Sequence, residues 1–203
     1  MSKQDLKTVE DSFVKSIEAI ETVTGKVPKG FRAPAFSIPS FRKDIFELII
    51  KYFEYDSSYV LFSKELISNE YKNYKIFSEE GFTEFPIVPK PYLNGRLNIK
   101  SGGTFLRVFP KSVIKQVMDF NSANNFIPQV YMHPYDYLAN KEFWVDYEYF
   151  KKQKFIKGLI SWYRQNQWLG FRNKKTLTTI EYLLKSYEHI GRIGYDKPSK
   201  KMI

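Results

Sequence analysis

Among side chains able to do chemistry, the sequence offers only two histidines, His133 and His189, and no cysteine. The lack of cysteine removes a thiolate nucleophile, a disulfide framework and a zinc–thiolate site. With two imidazoles, any metal site built from these residues alone would have to lean on carboxylates, which favours hard cations over zinc. His133 follows the apolar run 126–132 and precedes Pro134. It is therefore expected at the carboxyl tip of a strand, where the proline breaks the ladder. A lone histidine at a strand end is ordinarily a satisfied surface or core residue, yet an imidazole there could also exchange protons near neutral pH. Arg32 fits a similar place, after the short aromatic run that begins at Gly30. His189 lies on or just after a lysine-flanked helix and reads as a C-terminal residue favoured by the helix dipole. Gly102-Gly103 lacks the lysine and Ser/Thr of a phosphate loop and reads as a turn.

The elements that must position these groups follow from periodicity. Leu6, Val9, Phe13, Ile17, Ile20 and Val23 recur at spacings of three and four, an amphipathic helix stopped by Gly25 and Pro28. Residues 30–36 read as a short strand, and Ser40 as the cap of a second helix running from Phe41 to about Phe53. The polar, aromatic stretch from Tyr59 to Gly81 has no clear period and reads as a long excursion with one short helix, of a kind that often lines sites. Residues 84–88 read as a strand, and 97–109 as two short strands around Ser101-Gly102-Gly103. Lys111 to Phe120 is expected to be helical on an apolar face of Val113, Ile114, Val117 and Met118, and Phe126 to Met132 to form the next strand. Helices are expected over 155–165 and 176–187, the latter with Leu177, Ile180, Leu183 and Leu184 facing inward. The aromatic residues Trp144, Tyr147, Tyr149, Phe150, Trp162 and Trp168 read as core before they read as a sugar platform. The alternation of strand and helix implies an α/β layout, with chemistry at the carboxyl ends of the strands. A complete (β/α) barrel usually needs about 250 residues, and this chain of 203 opens on a helix, so a partial or distorted barrel lacking its first strands is expected.

Three segments, in order, resemble the polysaccharide deacetylase family, most closely its bacterial branch associated with exopolysaccharide and surface-glycan synthesis. Gly30-Phe31-Arg32-Ala33-Pro34-Ala35-Phe36-Ser37 resembles the Arg-x-x-Pro third motif, and Tyr55-Asp56-Ser57-Ser58 resembles the fourth. Val130-Tyr131-Met132-His133-Pro134-Tyr135-Asp136 resembles the fifth, with Tyr-Asp where the branch usually shows Trp-Glu. Glu84-Phe85-Pro86 and the run 102–107 are similar to connecting segments of that branch, and the likeness extends over roughly 6–193. The resemblance implies amide hydrolysis in which a zinc-like divalent metal polarises an acetamide carbonyl while an aspartate base and a histidine acid move protons. It implies that His133 is the general acid, that Arg32 orients the base, that Asp56 lies near the site, and that Phe36 and Tyr135 wall a sugar groove. The bland readings stand beside these: Arg32 as a structural ion-pair partner and Asp56 as a turn residue.

The family's first two motifs, with the base and metal-binding aspartates and a His-x-x-x-His pair, are not found among these residues. The sequence thus reads as one domain over 1–203, truncated at its N-terminus relative to the family, that binds no metal by itself and is inactive alone. Three explanations differ in function: a separate chain supplies the missing half, the product is a noncatalytic glycan-binding or assembly module, or it is a basic nucleic-acid binder. The third rests only on the net charge of +10, from 32 Lys+Arg against 22 Asp+Glu. Because the lysines are dispersed from Lys3 to Lys201, a solvated basic surface is preferred to a nucleic-acid face. The expected partners are an N-acetylated polysaccharide or oligosaccharide, and either a complementary chain or a second copy covering exposed strand edges. No apolar stretch approaches a membrane span and no secretory signal opens the sequence, so a cytoplasmic location is expected.

Overall fold

A computed structural model describes residues 3–138, 144–189 and 191, and within 167–170 the backbone alone. Trp168, expected in the core, therefore lies outside the described side chains. The chain separates into two compact units, whose described residues are 3–98, 120–127 and 191 in the first and 99–119, 128–138 and 144–189 in the second.

In the first unit, helix α1 (Leu6–Thr24) begins where the Asp5 carboxylate accepts the Thr8 N–H at 2.9 Å. It ends where Gly25, at φ 67°, donates its N–H to the Glu21 carbonyl; the left-handed conformation costs a glycine nothing. Only the middle of its apolar stripe is covered: Val9 and Phe13 are buried and Ile17 packs against the core, whereas Leu6, Ile20 and Val23 are exposed. Strand β1 is short, Gly30–Phe31, because the chain turns at Ala33 into a single 3₁₀ turn over Pro34–Phe36. Helix α2 (Lys43–Tyr52) buries Ile45, Phe46, Leu48 and Ile49. Its start differs from the expected Ser40 cap. Arg42 occupies the cap position and its guanidinium clamps Asp44 in the first turn through Nε–Oδ1 at 2.9 Å and Nη2–Oδ2 at 2.8 Å, so a charge-assisted fork replaces the hydroxyl cap.

Strands β2 (Tyr55–Asp56) and β3 (Thr83–Glu84) complete a three-stranded parallel sheet in the order β1-β2-β3. The register places Gly30 beside Tyr55 beside Thr83, and Phe31 beside Asp56 beside Glu84. Gly30 is needed there, since a Cβ at this position would stand 2.0 Å from the Tyr55 ring. The core closes over the sheet with Phe13, Phe31 and Phe53, whose ring centroids lie 4.8 to 5.5 Å apart. The excursion after β2 holds three short helical segments, α3 (Ser63–Ser68), a 3₁₀ turn (Glu70–Asn73) and α4 (Lys75–Ser78). Its aromatics pack as core: Tyr59 meets Phe77 at 5.3 Å, and Tyr71 meets Phe77 and Phe126. β4 (Lys90–Tyr92) and β5 (Leu97–Ile99) pair as a separate two-stranded sheet.

The second expected strand of the 97–109 stretch is instead a helix, α5 (Thr104–Val108), entered through Gly103 at φ 53°. Helix α6 (Lys111–Ala123) buries Ile114, Val117 and Met118, and Val113 is half-buried at its edge. The expected strand over 126–132 does not form a ladder, for Pro128 removes a donor. One parallel bridge, Gly102 with Tyr131, remains. That segment is held by Gly103 N–H to the Tyr131 carbonyl at 2.8 Å and by the Ser101 hydroxyl to the Gln129 carbonyl at 2.5 Å. Helices α7 (Phe155–Gly170) and α8 (Asn173–Leu184) follow. The inward face of α8 is Asn173, Thr176, Thr179 and Leu183, whereas Leu177 and Leu184 are exposed. Threonines can occupy a buried face because their hydroxyls are satisfied, Thr176 by the Asp136 carbonyl at 2.7 Å and Thr179 by the Leu106 carbonyl. Helices and a small parallel sheet together make a mixed α/β architecture. Among the described residues no helix is long and apolar enough to cross a membrane.

Candidate functional site

Parallel strands point their carboxyl ends the same way, so whatever follows β1, β2 and β3 is gathered at one end of the sheet. Here those residues are Arg32, Asp56 with Ser57 and Ser58, and Glu84. Asp56 is fully buried. Its carboxylate accepts the Ser58 hydroxyl at 2.6 Å and the Ser58 N–H at 3.1 Å, while the same hydroxyl accepts the Ala33 N–H at 2.7 Å. Arg32 donates from Nε to the Ser57 carbonyl and from Nη2 to the Ser57 hydroxyl at 2.7 Å, which in turn donates to the Phe85 carbonyl. One serine pair thereby ties the ends of all three strands together.

In the sequence Glu84 opens a strand and a connecting segment and carries no site role, whereas the structure makes it the most unusual group of the unit. It is the in-register neighbour of Asp56. Its Oε1 accepts the Tyr59 N–H at 3.2 Å, but its Oε2 is buried with no donor directed at it. An ionised Glu84 would set a second buried charge beside the Asp56 carboxylate, with Arg32 only partly offsetting it, whereas a protonated carboxyl can donate to Asp56. Burial, and then the adjacent Asp56 charge, hold the Glu84 carboxyl well above its ordinary value of 4.5. Burial also pushes Asp56 up, but two hydrogen bonds from Ser58 oppose the shift. Of the two neighbouring carboxyls, Glu84, with fewer donors, is the one held further above its ordinary value.

The next turn carries strain. Ala35 and Phe36 are consecutive non-glycine residues at φ 52°, a conformation costing about 1–3 kcal/mol per residue. It places the half-buried Phe36 ring under the Arg32 guanidinium, 5.8 Å from its centroid. Arg32, Asp56 and Phe36, named from the sequence, thus fall in one cluster of the first unit.

His133 and Tyr135 belong to the second unit, where they stack on each other at 4.9 Å and 16°. The histidine is exposed and its backbone is fixed: its N–H donates to the Asp136 carboxylate at 2.8 Å. Asp136 is buried and paired with buried Arg107 at 3.1 Å, and Asn173 donates to the Tyr135 carbonyl at 2.6 Å. The sequence reading missed this pair. Its signal was present, since Arg107 interrupts the apolar run Phe105-Leu106-Arg107-Val108-Phe109, and a charge in such a run needs a partner.

No family model, curated protein or solved structure matches the chain. The donor set can still be weighed against the metal that the resemblance implies. Among the described residues no group of three or more His, Cys, Asp or Glu could hold an ion, and the nearest carboxyl pair, Asp56 and Glu84, has no third ligand beside it. These residues do not fit a zinc-like cation.

Proposed function

We propose that the chain supplies the proton-handling part of a polysaccharide deacetylase-type site for N-acetylated sugars of surface glycans or exopolysaccharide, in a partial (β/α) barrel. One observation carries this reading: Arg32, Asp56 and Glu84 converge at the carboxyl ends of adjacent parallel strands, beside a strained turn that presents Phe36. An amide has a poor leaving group, so its cleavage needs a proton delivered to the departing nitrogen. The resemblance gives that proton to His133, which is exposed and stacks on Tyr135 within the second unit, and gives sugar contacts to Tyr135 there and to Phe36 in the first unit. Arg32, held by Ser57, orients a carboxylate base that lies outside these residues. The metal ligands likewise come from another segment or chain carrying the family's first two motifs.

The test is acetate release from N-acetylated oligosaccharides, measured with the 203-residue chain alone and with a companion polypeptide bearing Asp-Asp and His-x-x-x-His motifs. Release is expected only in the combined sample, and His133→Ala should lower it by roughly 10²- to 10⁴-fold. No release in either sample would reject the enzymatic reading. Saturable oligosaccharide binding without release would instead support a noncatalytic glycan-binding module.

A further inference from the structure

In the second unit α7 has two faces of different character. One is fastened. Gly158 lies against the Phe150 carbonyl so closely that a Cβ would stand 2.9 Å from it, Trp162 donates Nε1–H to the Val145 carbonyl at 2.9 Å, and Asn166 exchanges two hydrogen bonds with Val145. The adjoining face is apolar and bare among the described residues. Ile156, Leu159, Ile160 and Tyr163 follow the i, i+3, i+4, i+7 spacing of a single stripe. Ile156 is 71% exposed, Ile160 53% and Tyr163 60%, and Phe155 beside them is 70% exposed. Such a stripe is ordinarily covered in a soluble protein.

The surrounding charge says what covers it. Over 146–170 there are five basic residues, Lys151, Lys152, Lys154, Lys157 and Arg164, and two acidic residues, Asp146 and Glu148, both of which act on Lys151 and leave the other four cations to the rim. Helix α7 itself contains no acid. Two copies meeting through this face would bring like-charged rims together, which opposes self-association. Nucleic acid would meet the basic rim, but aliphatic isoleucines offer nothing to phosphates or base edges. An apolar stripe bordered by lysine and arginine matches the interface of an anionic bilayer, where the stripe enters the acyl boundary and the cations meet the headgroups.

We infer that α7 is a peripheral membrane-binding helix that lies in the surface of a bilayer containing anionic lipid. The experiment is cosedimentation of the whole chain with phosphatidylcholine vesicles, with and without phosphatidylglycerol, at low and at physiological salt. Binding should require the anionic lipid and weaken as salt rises. Ile156→Asn/Ile160→Asn and Lys154→Glu/Lys157→Glu should each lower the partition coefficient at least ~10-fold. Both pairs change exposed side chains, so the circular dichroism spectrum and melting temperature should match the parent and exclude misfolding. Any of three results would overturn the proposal: no vesicle binding, equal binding to neutral and anionic vesicles, or a solution dimer abolished by the isoleucine changes. Binding to DNA or an acidic polymer that is indifferent to the isoleucines, without vesicle binding, would do the same and assign the basic rim to a polyanion.

Discussion

Arg107→Met is expected to destabilise the second unit by about 3–5 kcal/mol, as measured by urea unfolding. Both partners of the Arg107–Asp136 pair are 1% exposed, so removing the guanidinium leaves a carboxylate in a dry environment with little to offset its lost hydration. The cost reaches beyond the pair. Asp136 also fixes the His133 N–H, and its carbonyl receives the Thr176 hydroxyl, so the turn carrying His133 and its join to α8 should loosen together. Removing both charges, as Arg107→Met with Asp136→Asn, should recover much of the loss, because the asparagine can still accept from the His133 N–H and no charge is stranded. A double variant no more stable than the single one would show that the pair matters through packing rather than charge.

Glu84→Gln is expected to make the fold more stable than the parent at neutral and alkaline pH and to flatten its pH profile. The Glu84 carboxyl titrates above its ordinary value of 4.5, so between that value and the raised one the folded chain binds more protons than the unfolded chain. The stabilising contribution is therefore complete below about 4.5 and is lost as pH rises through the folded value. Within that window the slope approaches about 1.4 kcal/mol per pH unit, and the full loss grows by about 1.4 kcal/mol for each unit of upward shift. Glutamine keeps the shape and a donor toward Asp56 but has nothing to titrate. Asp56 and Arg32 are present in both proteins, so the difference between their profiles reports Glu84 together with its effect on Asp56. Urea midpoints compared from acidic to alkaline pH should diverge steadily above pH 4.5; parallel profiles would mean that Glu84 is ionised in the folded state.

What could be read from the sequence depended on how local the determining interaction was. α1 and α6 were legible because a long apolar stripe and a stop signal lie within each segment. The start of α2 was not, because a cap was assigned from Ser40 by type, while the Arg42–Asp44 fork that begins the helix does not follow the side-chain oxygen rule. α5 read as a strand because five residues such as Thr104-Phe105-Leu106-Arg107-Val108 have no distinguishable period. On α8 the expected inner face holds at Leu183, but acceptors at Asp136 and Leu106, remote in sequence, turn Thr176 and Thr179 inward in place of Leu177 and Leu184. The same distance rule governs the site. Arg32, Asp56 and Phe36 could be named because each sits in a recognisable short segment, whereas the role of Glu84 arises from the Phe31–Asp56–Glu84 register, which no window of sequence contains.

Under the proposed function these residues handle protons and a zinc-like ion is held by groups elsewhere. Calorimetric titration of zinc or cobalt into the purified 203-residue chain tests it most directly. With two histidines in the sequence and no ligand cluster among the described residues, no stoichiometric uptake and no acetate release are expected. Tight one-to-one uptake accompanied by turnover of an N-acetylated oligosaccharide would contradict it.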